Sequence, residues 1–281
     1  LGELWCNNSW DFPTYAGVSV VALAIGSYAE ADRIDKEVVG RFTFRVIYVL
    51  ALSMLLFFPY HANYGLAYSS VGLWKGERTS IGSYLIIHGT PLFILSSYLL
   101  LLLFDRKRRN GIVRTMRLFL GAGERRKRAL HLYDLLVHCP RVGYELGWLA
   151  LAALGIIWLL LLIKQAWILV LAAPVLALAL GIVLFTRVRA ERRFQAALVG
   201  IGLVLTLAVE YIVLKGDIGR MNPVFKFSLQ VWIMWGVVGG AGLAYLIPRH
   251  RAWSPRVRSL WRKALIFLLV GVSLYPLFGT Y

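Results

Sequence analysis

Charge is scarce in this chain, and acidic charge scarcer still. Asp, Glu, Lys and Arg make up 16% of the 281 residues, where a soluble domain carries about 25%. Only 14 residues are acidic against 31 basic, for a formal net charge of +17. Cysteine is nearly missing: Cys6 and Cys139 are the two, and the topology derived below sets them on opposite sides of a membrane, so no disulfide framework is implied. The start is Leu1, with no basic stretch leading into an apolar one, so no secretory leader pattern is present. The expectation is an internal piece of a longer protein, missing an N-terminal part. Internal repeats and low-complexity tracts are lacking too. The shortage of cysteine and of charge argues against a disulfide-stapled domain and an ordinary soluble globule.

What the chain has instead is apolar sequence. Hydrophobic residues reach 59% and the mean hydropathy is +0.68. Eight apolar stretches are each long enough, or nearly so, to cross about 30 Å of hydrocarbon: 12–29, 42–60, 81–104, 142–163, 166–186, 194–214, 224–247 and 264–278. The predicted fold is all-α, a polytopic transmembrane helical bundle of about eight spans, forming a single transmembrane domain over 1–281 with the lipid bilayer as its solvent.

The positive charge follows the spans. With the segment after the third span placed in the cytoplasm, 25 of the 31 Lys and Arg fall in the loops 30–45, 105–141, 187–193 and 248–263. Every inside loop is basic, as the positive-inside rule requires of a correct span count. That distribution argues against a nucleic-acid partner and for a multi-pass protein of the cell membrane with basic loops cytoplasmic. The outward segments are 1–11, 61–80, the tight 164–165 connection, 215–223 and the C-terminal residue.

The outward face holds the informative polar residues. The 215–226 segment reads KGDIGRMNPVFK. Asn222 before Pro223 is a helix-start pattern, with Asn as cap and Pro in the first helical position. A helix start offers N–H groups to an anion, and Arg220 and Lys226 flank it, so the cluster is a candidate phosphate site. The plain alternative is capping by Asn222 and snorkelling by Arg220. Asn222, Lys226 and Gln230 recur every four residues and share a helix face. Glu210 is expected near the depth of Lys226, where pairing would offset part of the cost of two charges near the membrane; a simple interhelical ion pair is the alternative to a site.

Two more outward segments join it. In 8–15, NSWDFPTY, Asp11 stands at the mouth of the first span, suited to cap the helix, to act as a general base, or to hold a divalent cation (Mg or Mn) over a phosphate. Trp10 and Tyr15 flank it, and Asn7-Asn8-Ser9 matches a glycosylation triplet. In 61–79, Tyr64 and Trp74 offer faces for a sugar ring or for the interfacial belt, Lys75 and Arg78 add cations and Glu77 a carboxylate. His88, two turns inside the third span, reads as an interhelical hydrogen-bonder. His131, Asp134 and His138 share one face of an amphipathic stretch, better read as an interfacial helix than a metal site.

At these same residues the chain resembles a known family. WDFPTY at 10–15, WKGERT at 74–79, and Asp217 through RMNPVFK at 220–226 with Gln230 and Trp232 are similar to the "YYY" family of multi-pass membrane proteins of undefined function. The similarity spans nearly all 281 residues, and the RMNPVFK block is its most specific part. Two departures stand out: the tyrosine triplet naming the family is absent, and Pro223 occupies a position where a Thr is expected. The family resembles GT-C glycosyltransferases in layout. That resemblance implies a membrane glycosyltransferase taking a sugar from a lipid-linked sugar phosphate, a polyprenyl phosphate, at the non-cytoplasmic face. Arg220, Asn222 and Lys226 would then bind phosphate, with Asp11, Glu77 and Asp217 as the candidate catalytic or acceptor-positioning carboxylates. The rivals are a transporter of an anionic lipid-linked substrate and a non-catalytic membrane subunit.

Overall fold

The computed structural model describes residues 1–31, 35–63, 70–104, 159, 166–185, 188–215 and 220–279. A short helix α1 (Gly2–Asn7) leads into α2 (Asp11–Ala29), α3 (Lys36–Leu55) and a second short helix α4 (Phe58–Asn63). Strand β1 (Ser70–Leu73) precedes α5 (Ile81–Phe104); then come α6 (Trp167–Phe185), α7 (Ala190–Tyr211), strand β2 (Ile212–Lys215), α8 (Met221–Arg249), a single 3-10 turn and α9 (Pro255–Phe278).

Seven of these helices are long and apolar enough to cross a membrane. They correspond to seven of the eight expected spans; the fourth, 142–163, lies outside the described residues, as do His131, Asp134, His138 and Cys139. The fold is therefore an all-α polytopic bundle. Asp35 caps α3 by accepting from the Val38 N–H at 2.9 Å, so this helix begins six residues before the apolar run does and carries its first turn in polar sequence.

The bundle centre is built by α5, α6, α7 and α8, with α2 against α7, α3 against α2 and α9 against α5. Leu95, Leu99 and Leu102 of α5 are fully buried, at the spacing that keeps them on one face. They meet Val199 and Leu203 of α7 and Trp235 and Val238 of α8 in one apolar cluster. Small residues let the backbones close up, as lipid-solvated helices need. A Cβ on Gly202 would sit 2.2 Å from the Trp235 indole nitrogen, and that indole donates to the Val199 carbonyl at 3.4 Å. Outward, Phe44, Ile86, Phe225, Trp232 and Phe267 are exposed, the arrangement of a bundle whose solvent is hydrocarbon.

One element departs from the all-helical expectation. The sixth apolar stretch is helical only to Tyr211; Ile212–Lys215 pairs antiparallel with β1, Leu73 facing Ile212 and Ser70 facing Lys215. Trp74 extends the ladder, its N–H donating to the Tyr211 carbonyl at 2.9 Å. β-branched Ile212 and Val213 favour the pleat, and a short apolar run alone does not separate strand from helix. The two strands are distant in sequence, with α5, α6 and α7 between them; their hairpin-like ribbon marks one end of the bundle, the hairpin end, where the start of α2, α5 and α8 and the end of α7 gather.

Candidate functional site

At the hairpin end, the ladder carries the 74–79 segment against the last turn of α7. Glu210, 4% exposed, faces it. Its Oε2 accepts the Thr79 backbone N–H at 3.0 Å and Arg220 Nη1 at 2.9 Å, and its Oε1 accepts the Thr79 hydroxyl at 2.6 Å. Arg220 Nη2 closes the ring by donating to Thr79 Oγ1 at 2.6 Å. A buried carboxylate is tolerated only when paired and hydrogen-bonded, and Glu210 is both.

The partner of Glu210 is thus Arg220, not Lys226 as expected. The helix start explains the difference. α8 begins at Met221 with Arg220 in the cap position, so Arg220 precedes the helix and turns back toward α7. Asn222 and Pro223 lie inside the first turn. Pro223 costs no backbone bond there, because the first four helical N–H groups have no partner within the helix. Lys226 is half-buried and forms no ion pair among the described residues.

A second cluster ties α2 to α8. Asp11 is the first residue of α2. Its Oδ1 accepts Gln230 Nε2 at 2.6 Å and Asn8 Nδ2 at 3.1 Å. The same Gln230 nitrogen donates to the Trp10 carbonyl at 3.2 Å, and the Trp10 ring meets Phe227 edge-on at 5.9 Å. Gln230 is 2% exposed, and its Oε1 is buried without a hydrogen-bond partner. The segments around Asp11, Thr79 and Arg220–Gln230 therefore adjoin, although more than two hundred residues separate the first from the last.

Between these clusters lies an apolar cavity of about 360 Å³, walled by Trp10, Thr14, Ala208, Val209, Pro223 and Phe227 among others. A smaller cavity of about 40 Å³ sits deeper, bordered by Tyr84, His88, Thr206, Glu210 and Ser228. It is large enough for ordered water, which needs roughly 10–15 Å³. His88 differs from the expected hydrogen-bonder: it is wedged between the rings of Tyr84 and Trp235, and its Nδ1 is buried without a partner. Tyr84 and Thr206 share a hydroxyl–hydroxyl bond of 3.0 Å on the same wall.

The 74–79 segment is aromatic and basic. Lys75, Glu77 and Arg78 are exposed; the Arg78 guanidinium lies 4.7 Å over the Tyr211 ring. Trp74 donates its indole N–H to the Glu77 carbonyl at 2.9 Å, and Arg220 approaches the same indole at 5.9 Å. Tyr15 is half-buried on α2. Asp217 and Tyr64 lie outside the described residues. Among the described residues, no three His, Cys, Asp or Glu side chains converge as a metal site would require.

Thr79 is the residue that sequence reasoning passed over. It binds both members of the Glu210–Arg220 pair, and nothing in its local pattern announces that; only the strand pairing that delivers it does. A model of an uncharacterised membrane protein family, DUF2298, matches residues 1–235. No curated protein and no solved structure matches the chain.

Proposed function

Because the chain belongs to the uncharacterised membrane protein family DUF2298, a membership that brings no reaction with it, we propose its function from the hairpin end and from its resemblance to GT-C enzymes: a membrane glycosyltransferase using a polyprenyl-phosphate-linked sugar. The observation that carries this reading is the apolar cavity of about 360 Å³ lying between the Asp11–Gln230 and Glu210–Arg220 clusters. A lipid-linked sugar phosphate has the same division, an isoprenoid chain joined to an anionic, hydroxyl-rich head. The positive-inside rule puts the basic loops in the cytoplasm and the hairpin end on the other side.

In this reading the cavity takes the first isoprene units. Lys226, the start of α8 with Asn222, and the exposed cations Lys75 and Arg78 meet the phosphate. Arg220, oriented by Glu210 and Thr79, supplies a fixed positive edge that costs no reorganisation during reaction. Trp10, Tyr15, Tyr64 and Trp74 offer ring faces to the sugar. Asp11 keeps Oδ2 outside its two hydrogen bonds, so that oxygen can accept a proton. An acceptor hydroxyl oxygen then bonds to the anomeric carbon as the bond from that carbon to the phosphate oxygen breaks. The electron pair leaves with the polyprenyl phosphate, and the hydroxyl proton passes to Asp11. Glu77 and Asp217 are the acceptor-positioning carboxylates.

A transporter places its polar groups around a solute-sized cavity near mid-membrane and interrupts helices there. Here the described spans are continuous, and the cavity beside His88, about 40 Å³, has the size for ordered water rather than for a solute. These features support the transferase reading. The test is transfer of radiolabelled sugar from a panel of polyprenyl-phosphate sugars by the reconstituted protein. Asp11→Asn, which keeps the acceptor for Gln230, is expected to lose about 10²–10⁴ in rate while staying monodisperse. Folded protein that transfers from no donor overturns the proposal.

A further inference from the structure

The opposite end of the bundle carries a second cluster that the proposed transferase does not use. Tyr245, 9% exposed, lies one turn before the end of α8. The Arg192 guanidinium stands 4.3 Å over its ring and that of Arg249 3.7 Å over the same ring. Arg192 Nη1 donates to the Tyr245 hydroxyl at 3.3 Å, and Arg249 Nη1 donates to the Tyr245 carbonyl at 3.2 Å. The ring itself is held edge-on by Tyr98 at 5.7 Å. Two guanidinium groups are therefore fixed around one aromatic ring.

The arrangement is not explained by internal charge pairing. The described ion pairs are Arg41–Glu37, Arg45–Glu30 and Arg220–Glu210; neither Arg192 nor Arg249 has a carboxylate partner among the described residues, and exposed Glu191 pairs with neither. Arg192 also sits in the first turn of α7, where the helix dipole disfavours a cation. Two like charges drawn to one ring repel each other, and a bound anion offsets that repulsion. Arg249 is exposed and Arg192 half-exposed, so an anion can reach both.

We propose that Arg192 and Arg249, braced by Tyr245, form a binding site for a phosphate group at the membrane surface, the phosphodiester of an anionic phospholipid being its membrane source and inorganic phosphate its soluble one. Guanidinium forks match phosphate oxygens two at a time, and stacking on Tyr245 pre-sets their orientation. The site lies at the ends of two candidate spans, the start of α7 and the end of α8, and cytoplasmic leaflets are anionic. It is independent of the transferase reading.

The test is the thermal midpoint of detergent-purified, delipidated protein titrated separately with phosphatidylglycerol, phosphatidylcholine and inorganic phosphate. Phosphatidylglycerol is expected to raise the midpoint saturably and phosphatidylcholine not to. A rise with phosphatidylglycerol alone assigns the lipid source; an equal rise with inorganic phosphate at the same concentration assigns the soluble one. Arg192→Gln/Arg249→Gln should weaken the response about thirtyfold, the effect of losing two cations from an anionic contact. Exposed Arg249→Gln alone keeps the test open if the double variant misfolds, and should weaken it about fivefold. Arg256→Gln/Arg262→Gln, in the same basic end, should leave the response unchanged. Equal stabilisation by phosphatidylcholine, or equal loss in the Arg256/Arg262 control, overturns the proposal.

Discussion

Arg220 and Glu210 meet at 2.9 Å with Thr79 bridging them, and this contact locks the start of α8 to the end of α7 and to the segment that precedes α5. Both side chains are largely buried, 15% and 5% exposed. Their mutual dependence is the first testable consequence. Arg220→Gln or Glu210→Gln alone leaves one charge without its counterion, a loss of about 3–5 kcal/mol. The double variant replaces both charges by amides and should be more stable than either single one. Thermal midpoints of the four proteins in one detergent give the coupling directly.

Gly202 is a second pressure point. An added methyl group would lie 2.2 Å from the Trp235 indole, which is itself buried and bonded to Val199. Gly202→Ala should cost about 1–3 kcal/mol through overpacking, and Trp235→Phe should recover part of that loss. Gly240→Ala, where a methyl group meets open space, should be neutral or slightly stabilising in a helix. Denaturation midpoints of these variants check the contrast.

Gln230 holds α2 through Asp11 and the Trp10 carbonyl. Gln230→Leu removes a hydrogen bond to a charged group, which contributes about 1.5–3 kcal/mol. Gln230→Glu places a second carboxylate against Asp11 and should be worse than Leu at neutral pH. The order wild type, Leu, Glu in thermal midpoint is the expected result.

Topology can be read by labelling. With Cys6 and Cys139 replaced by Ser, Glu77→Cys at the hairpin end should react with a membrane-impermeant maleimide on intact cells. Arg256→Cys should react only after permeabilisation. The reverse pattern would turn the molecule over and remove the outward orientation on which the transferase reading relies.

The helices were legible because lipid-solvated spans advertise themselves by length and by the basic loops between them; all seven described spans coincide with expected ones. The hairpin was not legible, because Ile212 and Val213 continue an apolar run that reads equally as helix. That one ambiguity hid the contact that joins three segments of the site, since the strand pairing is what brings Thr79 to Glu210. Depth alone pairs Lys226 with Glu210. Depth does not encode which way a side chain leaves its backbone, and Arg220, one residue outside the helix, points where Lys226 does not. Asp11 and Gln230 were each recognisable as polar residues at span ends, but their 2.6 Å bond depends on the packing of α2 and α8 against α7.

The central claim is that a polyprenyl phosphate seats its chain in the cavity at the hairpin end and its phosphate on the adjoining cations. The most direct measurement is equilibrium binding of a fluorescent polyprenyl phosphate to the protein in nanodiscs, comparing wild type with Ala208→Trp, which fills the cavity, and with Lys226→Gln. Saturable binding by wild type, abolished by Ala208→Trp and weakened about tenfold by Lys226→Gln on the scale of a lost charge-assisted contact, is the predicted result. Binding by Ala208→Trp equal to that of wild type, in a protein of unchanged thermal midpoint, would contradict it.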